Sequence, residues 1–377
     1  MTKTGAVQKL PQTYDVHLLF AVLFLVGIGI VMVYSASSAV ALKRYGSDFY
    51  FLKRQALFSL LGIIALVLCS HMPFRIYRAL TYPLLLFALA MLIAVLVSGF
   101  GITAGGSTRW LGFGPVSFQP AEAARMALII YMAYSLSKKQ ESLRIMSIGF
   151  LPHLLMLMLF SVPLLLQPDF GSVVIFGALV WIMMFVAGVP LRHLLGTLLV
   201  MLPLAYFLMI NATYRIKRLL SFLDPWQYPD GEGYQIIHSL MAFGTGGFWG
   251  TGIGKGYQKL FYLPEPHTDF IFAVIGEELG FWGVLFILGL FSLVIWRGMR
   301  IAHQCQDSFG MLVATGITTA IALQVSINIG VALGVLPTKG LTLPFLSYGG
   351  TSLLLNMASI GILMNIGARH GQKAKAR

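Results

Sequence analysis

Residues 263–296 read LPEPHTDFIFAVIGEELGFWGVLFILGLFSLVIW, and the two halves of this stretch obey different rules. The second half, Leu279 to Trp296, carries no charge. As a helix it would be about 27 Å long at 1.5 Å per residue, close to the roughly 30 Å hydrocarbon thickness of a bilayer. The first half holds Glu265, His267, Thr268, Asp269, Glu277 and Glu278. Ionisable groups so close to lipid are costly, and their default reading is function. If the helix continues upward, Asp269 stands roughly 15 Å above the start of the apolar run, in the headgroup zone, with Glu277 and Glu278 at the hydrocarbon edge.

The rest of the chain fits this membrane reading. Of 377 residues, 58% are apolar and 10% charged, whereas a soluble domain carries about 25% charge. Apolar runs recur near residues 16–36, 55–70, 79–98, 120–136, 148–166, 171–187, 190–210, 279–296, 310–333 and 343–366. The expectation is an all-α, polytopic integral membrane protein of about ten transmembrane helices. It forms a single domain over 1–377, with one large extracytoplasmic loop at 211–268. The first run is read as a retained span, since it is full length and followed by only a loose cleavage-like pattern. An even count puts both termini on one side. The positive-inside rule places them in the cytoplasm by a thin majority of the 26 Lys and Arg.

The margin is thin because many cations remain outside, among them Arg54, Arg109, Arg125, Arg215, Arg218, Lys259 and Lys339. Snorkelling to phospholipid accounts for part of this excess. An anionic headgroup or phosphate at the outer surface accounts for the rest, and nucleic acid is a poor partner for a chain buried in lipid. Cys69 and Cys305 fall near the inner face, where thiols stay reduced, and neither belongs to a zinc-binding pattern.

Each outer loop adds candidates beside a plainer reading. Arg54 closes an aromatic belt ahead of the second run, and Arg109-Trp110 sits in the glycine-rich loop 99–118. Glu122 and Arg125, three apart, share a helix face as a structural ion pair or as the wall of a cavity. Asp169 suits an N-cap. In the long loop, 214–223 reads as an interfacial helix stopped by Asp224-Pro225-Trp226, and 233–243 as a second short helix. The glycine-rich run 244–256 has no preceding strand and no Gly-Lys-Ser/Thr ending, so it is not a nucleotide loop. Its exposed amides could still hold an anion. Finally, Pro337 and Pro344 interrupt any helix before Ser347, and irregular backbone at this depth implies a pocket.

Leu263 to Phe272 with Gly276-Glu277-Glu278-Leu279-Gly280, and Leu336 to Ser352, strongly resemble the SEDS family (shape, elongation, division and sporulation). Arg109-Trp110, Gln119-Pro120 with Glu122, Gln167-Pro168-Asp169, Phe222-Leu223-Asp224-Pro225 and Gly233-Tyr234-Gln235 follow in the family's order. The run Leu336-Pro337-Thr338-Lys339-Gly340 looks like the division branch. Arg125 departs from the Lys common there, and Gly256 from a frequent Ser. The resemblance implies a peptidoglycan glycosyltransferase that polymerises lipid II at the outer face of the bacterial cytoplasmic (inner) membrane. In that reaction an acceptor 4-hydroxyl attacks the donor's anomeric carbon and undecaprenyl pyrophosphate departs. Asp269 is then the general base. Arg54, Arg109, Arg215, Arg218 and Lys339 are candidates to hold phosphate, with Glu122, Arg125, His267, Thr268 and Ser347 lining the substrate site.

The resemblance also implies a partner, a membrane-anchored class B penicillin-binding transpeptidase, together with other division proteins. No cofactor is obligatory, although a divalent cation such as magnesium or manganese could assist the pyrophosphate. Two rival readings remain open at this stage. Charge-lined cavities and broken helices also describe a lipid II flippase or transporter, and a non-catalytic division scaffold would need no base at all.

Overall fold

The computed structural model describes residues 14–97, 99, 101–104, 107–113, 116–210, 213–231, 233–260 and 262–375. Its helices are α1 (Val16–Tyr45), α2 (Tyr50–His71), α3 (Arg75–Ala79), α4 (Thr81–Val97), α5 (Pro120–Lys138), α6 (Leu151–Leu166), α7 (Phe170–Ala187) and α8 (Leu191–Ile210). They continue with α9 (Thr213–Leu223), α10 (Tyr234–Gly246), α11 (Ile271–Gln304), α12 (Ser308–Ala332) and α13 (Gly350–Lys375). Seven helical segments are long and apolar enough to cross a membrane by length and composition, and Thr81–Val97 and Leu191–Pro203 are shorter apolar helices. The protein is a multi-pass helical membrane protein. The helical class expected from the sequence holds, with one small addition. Loop 99–118 contains an antiparallel sheet of β1 (Gly101–Ala104), β2 (Ser107–Phe113) and β3 (Val116–Phe118), in that order. Its glycines concealed the strand alternation.

Helix α2 shows how the bilayer inverts the usual pattern. It buries Phe51, Gln55, Ser59, Gly62, Leu66 and Ser70 at helical spacing. Leu57, Leu60, Ile64 and Leu68 face outward. Small and polar residues therefore mark the inward face, as expected where lipid is as apolar as leucine. That face packs on α13, where a Cβ at Gly361 would collide with the Leu66 carbonyl and one at Gly62 would stand 3.0 Å from Met357 Cγ.

The expected continuous helix through Glu277 and Glu278 is broken. Gly280 has φ +65 and ψ −165, a region open to glycine and strained for other residues, and a Cβ there would meet the backbone at Gly250 and Phe248. Ahead of the break, Ile271 to Glu278 is buried on every side. Such an interrupted segment is tolerated because protein, not lipid, surrounds it. Both acids are fully engaged. Glu277 accepts from the amides of Tyr257 (2.7 Å) and Gln258 (3.2 Å). Glu278 accepts from Ser35 Oγ (2.7 Å), Lys259 Nζ (2.6 Å) and the Gly254 amide (3.1 Å). The anion held by amides of the glycine-rich loop is thus the chain's own pair of carboxylates, and Lys259 is a structural cation.

Removing one partner of a buried ion pair leaves an uncompensated charge, at about 3–5 kcal/mol. Thermal unfolding in detergent should therefore show Glu278→Ala strongly destabilised, with Glu278→Met/Lys259→Met recovering much of the loss. Equal destabilisation of the single and double variants would contradict the pairing.

Candidate active site

The chain from Leu263 to Phe270 forms a turn ahead of α11, with Glu265 in a left-handed conformation at φ +47. Two segments hold this turn in place. The Asn328 amide of α12 donates to the Asp269 carbonyl (2.9 Å) and to the Leu341 carbonyl (2.5 Å). Ser347 Oγ donates to the Thr268 carbonyl (2.6 Å) and accepts from the Leu343 amide (2.7 Å), while the Tyr348 amide donates to the His267 carbonyl (2.8 Å). The irregular segment 333–349 is therefore pinned against the turn by its own backbone groups, as buried backbone requires. Ser347 was expected to line a substrate site; its hydroxyl is committed to this clamp.

A buried polar network supports that clamp from below. Arg125 donates to Glu122 Oε2 (2.5 Å), Gln324 Oε1 (2.6 Å) and Asn356 Oδ1 (3.4 Å). Gln324 in turn donates to the Thr342 carbonyl (2.9 Å). The planar guanidinium thus joins α5, α12 and α13, a fork that a lysine's point charge could not reproduce. The Glu122–Arg125 pair also lines a small cavity with Met126, Ile129, Ile317 and Ser359.

Solvent reaches part of Asp269, yet protein surrounds its carboxylate at longer range. Among the described residues, nothing hydrogen-bonds that carboxylate. Burial, reinforced by the Glu265 charge and opposed by Arg109, pushes its pKa up to about 7. A Cβ on Gly340 would lie 3.0 Å from Asp269 Oδ2, so the glycine leaves that oxygen uncrowded. Burial lowers the Lys339 ammonium to about 8, against a raising influence from Asp169 and a lowering one from Arg109. Among the described residues, its Nζ is buried with no hydrogen-bond partner.

On the far side of Lys339, Arg109 of β2 donates to the Gln167 (3.5 Å) and Pro168 (2.5 Å) carbonyls and stands 3.9 Å from Asp169 Oδ1. Asp169 caps α7 through the Ser172 amide (3.2 Å) and hydroxyl (2.6 Å). The sheet thereby ties the N-terminal end of α7 to the site.

The remaining candidates are more dispersed. Arg54 lies 4.6 Å over the Tyr50 ring, and its charge acts on the Tyr348 hydroxyl. His267 is packed against Phe51 and Tyr348, and burial lowers it to about 4. The ring is therefore neutral near pH 7, and its 3.7 Å approach to Glu265 is a contact rather than an ion pair. Thr268 Oγ1 bonds back to the Glu265 carbonyl at 3.1 Å. Arg218 sits on α9, whose main neighbours are α8 and the 225–227 turn; the Arg215 side chain lies outside the described residues. Sequence reading missed Gln324, Asn328 and Asn356. Their signal was amides in otherwise apolar helices.

Replacing Asn328 by Leu removes the donor shared by Asp269 and Leu341. Hydrogen–deuterium exchange read by mass spectrometry should then quicken over 341–349; unchanged protection would contradict the clamp.

Comparison with known proteins gives a consistent relationship. A family profile described as "Cell cycle protein", spanning FtsW, RodA and SpoVE, matches residues 16–372. The chain is 48% identical over 355 residues to the probable peptidoglycan glycosyltransferase FtsW of Trichlorobacter lovleyi, covering 94% of this chain and 93% of that protein. It is 43% identical over 352 residues to the stage V sporulation protein E of Bacillus subtilis, covering 93% and 96%. Among solved structures, one described as "Structural coordination of polymerization and crosslinking by a peptidoglycan synthase complex" aligns with TM-score 0.79 and 33% identity, over 96% of this chain and 99% of that one. The rod shape determining protein RodA of Thermus thermophilus aligns with TM-score 0.69 and 31% identity, over 94% and 97%. The chain belongs to the FtsW, RodA and SpoVE family of cell cycle proteins.

Proposed function

We propose that this protein is a peptidoglycan glycosyltransferase of the division branch that polymerises lipid II at the outer face of the cytoplasmic membrane, with both termini in the cytoplasm. The names of its relatives support the activity. The observation that carries the mechanism is Asp269, a half-open carboxylate with its pKa near 7, with Gly340 packed against its Oδ2 and the neighbouring residue Lys339 holding a buried, unpartnered ammonium among the described residues. A general base works best when its pKa lies near the working pH.

In the reaction Asp269 accepts the proton of the acceptor sugar's 4-hydroxyl as that oxygen forms a bond to the donor's anomeric carbon. The bond from the anomeric carbon to the phosphate oxygen breaks, and its electron pair leaves on undecaprenyl pyrophosphate. Lys339 and Arg109 stabilise the charge that develops there. Glu122, Arg125 and Ser347 position the two segments that carry these groups. Among the described residues, no three His, Cys, Asp or Glu side chains form a ready metal site, so an assisting divalent ion would share its ligands with the substrate's phosphates. A transpeptidase partner fits the neighbour that couples polymerisation to crosslinking.

The broken α11 invites a transporter reading. Here, however, the break is filled by Glu277 and Glu278 locked to a neighbouring loop, which leaves no open ion site at that point.

Purified protein supplied with lipid II in detergent should make glycan strands, a product that needs no translocation; none with an added partner transpeptidase would contradict the proposal. The pH profile of kcat/KM reports groups of the free enzyme. It should rise through about 7 as Asp269 loses its proton and fall beyond about 8 as Lys339 loses its charge. A flat profile from pH 5 to 9 would contradict these roles.

A further inference from the structure

The path by which Lys339 reaches its site is unusual. Its side chain lies directly across the first turn of α7, so that a Cβ on Gly171 would overlap the Lys339 Cε, Cδ and Nζ atoms. The backbone itself does not call for a glycine at 171, because its φ is not in the left-handed region, and the three nearest atoms all belong to Lys339. Glycine also costs a helix roughly 0.5–1 kcal/mol relative to alanine. Further along the same helix, a Cβ on Gly177 would meet nothing within 4 Å.

The groups around the slot have assigned partners. Asp169 is bound to Ser172, and Arg109 to the carbonyls of Gln167 and Pro168. The Lys339 ammonium alone in this group is buried without an acceptor, among the described residues. Leaving a charged donor unsatisfied is expensive, which points to an anionic ligand arriving at that atom.

We infer that Gly171 is a positioning residue for the glycosyl transfer. The missing side chain at 171 forms the slot that threads Lys339 beside Asp169 and Arg109, where its Nζ meets the departing pyrophosphate. The inference rests on the reading of Lys339 as the phosphate-holding cation. A methyl at 171 should be tolerated by the fold, since what it strikes is the flexible end of a side chain. It would nonetheless drive Lys339 out of the slot.

The test uses full-length purified protein and two readouts. In the first, an amine-reactive acetylating reagent is applied and Lys339 modification is followed by peptide mass spectrometry. Modification should be slow in the wild type and in Gly177→Ala, and at least tenfold faster in Gly171→Ala. In the second, kcat and KM are measured for polymerisation of lipid II. Lys339→Ala should lose activity about 100-fold, the scale for removing one charge-stabilising donor. Gly171→Ala should approach that loss, and the double variant should be no worse than Lys339→Ala, the non-additivity of two residues acting through one contact. Gly177→Ala should stay near wild type.

Slow labelling of Lys339 in Gly171→Ala would overturn the slot while leaving the phosphate role of Lys339 standing. Fast labelling with activity retained would overturn the positioning role together with that phosphate role. Losses that multiply in the double variant would show that Gly171 acts by another route, and would likewise overturn the inference.

Discussion

A carboxylate or ammonium taken out of water must find an opposite charge or an array of hydrogen-bond partners, and this requirement organises the molecule from its loops to its core. Glu278 is met by Lys259, Ser35 and an amide. Glu277 is met by two amides, and Glu122 by Arg125. Asp169 caps a helix and faces Arg109. Several of these contacts cross between elements: Glu278 ties α11 to Ser35 and Lys259, Arg109 ties β2 to Asp169, and Arg125 reaches from α5 to Gln324 of α12 and Asn356 of α13. Against this background Asp269 and Lys339 stand apart: among the described residues, neither charged group is hydrogen-bonded.

One short segment serves both groups. Residues 338–340 carry Lys339 toward the N-terminal end of α7 and bring Gly340 against Asp269. The stretch just after it, residues 341–343, is held by side chains that touch neither group's charge: Asn328, Gln324 and Ser347 bond its backbone, and Asn328 also bonds the backbone of the Asp269 turn. A rigid scaffold presenting two unsatisfied charges is the arrangement expected of a site that waits for its substrate to complete it.

Much of this was legible in the sequence. Long uncharged runs give the membrane helices because the bilayer admits little else, and the acids before Leu279 flag a stretch that must find partners because charge there is costly. The short helices of the long loop follow from cations grouped at one end of 214–223 and from the Pro225 stop. What escaped notice depended on partners far along the chain. The break at Gly280 comes from the approach of residues 248–250. The roles of Glu277 and Glu278 come from amides about twenty residues earlier, and the clamp comes from amide side chains on α12 and α13 that look unremarkable in isolation. The sheet at 101–118 was hidden by glycines that read as turn. In the same way the motif residue Ser347 proved to be a backbone clamp, a role that spacing could not disclose.

The central claim is that Asp269 is the base. Its most direct test is polymerisation of lipid II by purified Asp269→Ala beside the wild type, with thermal unfolding in detergent as the control for folding. The account predicts that unfolding is preserved and that glycan strands fall by about 10²–10⁴-fold, the contribution typical of a general base. Strands made at near the wild-type rate by the folded variant would contradict it.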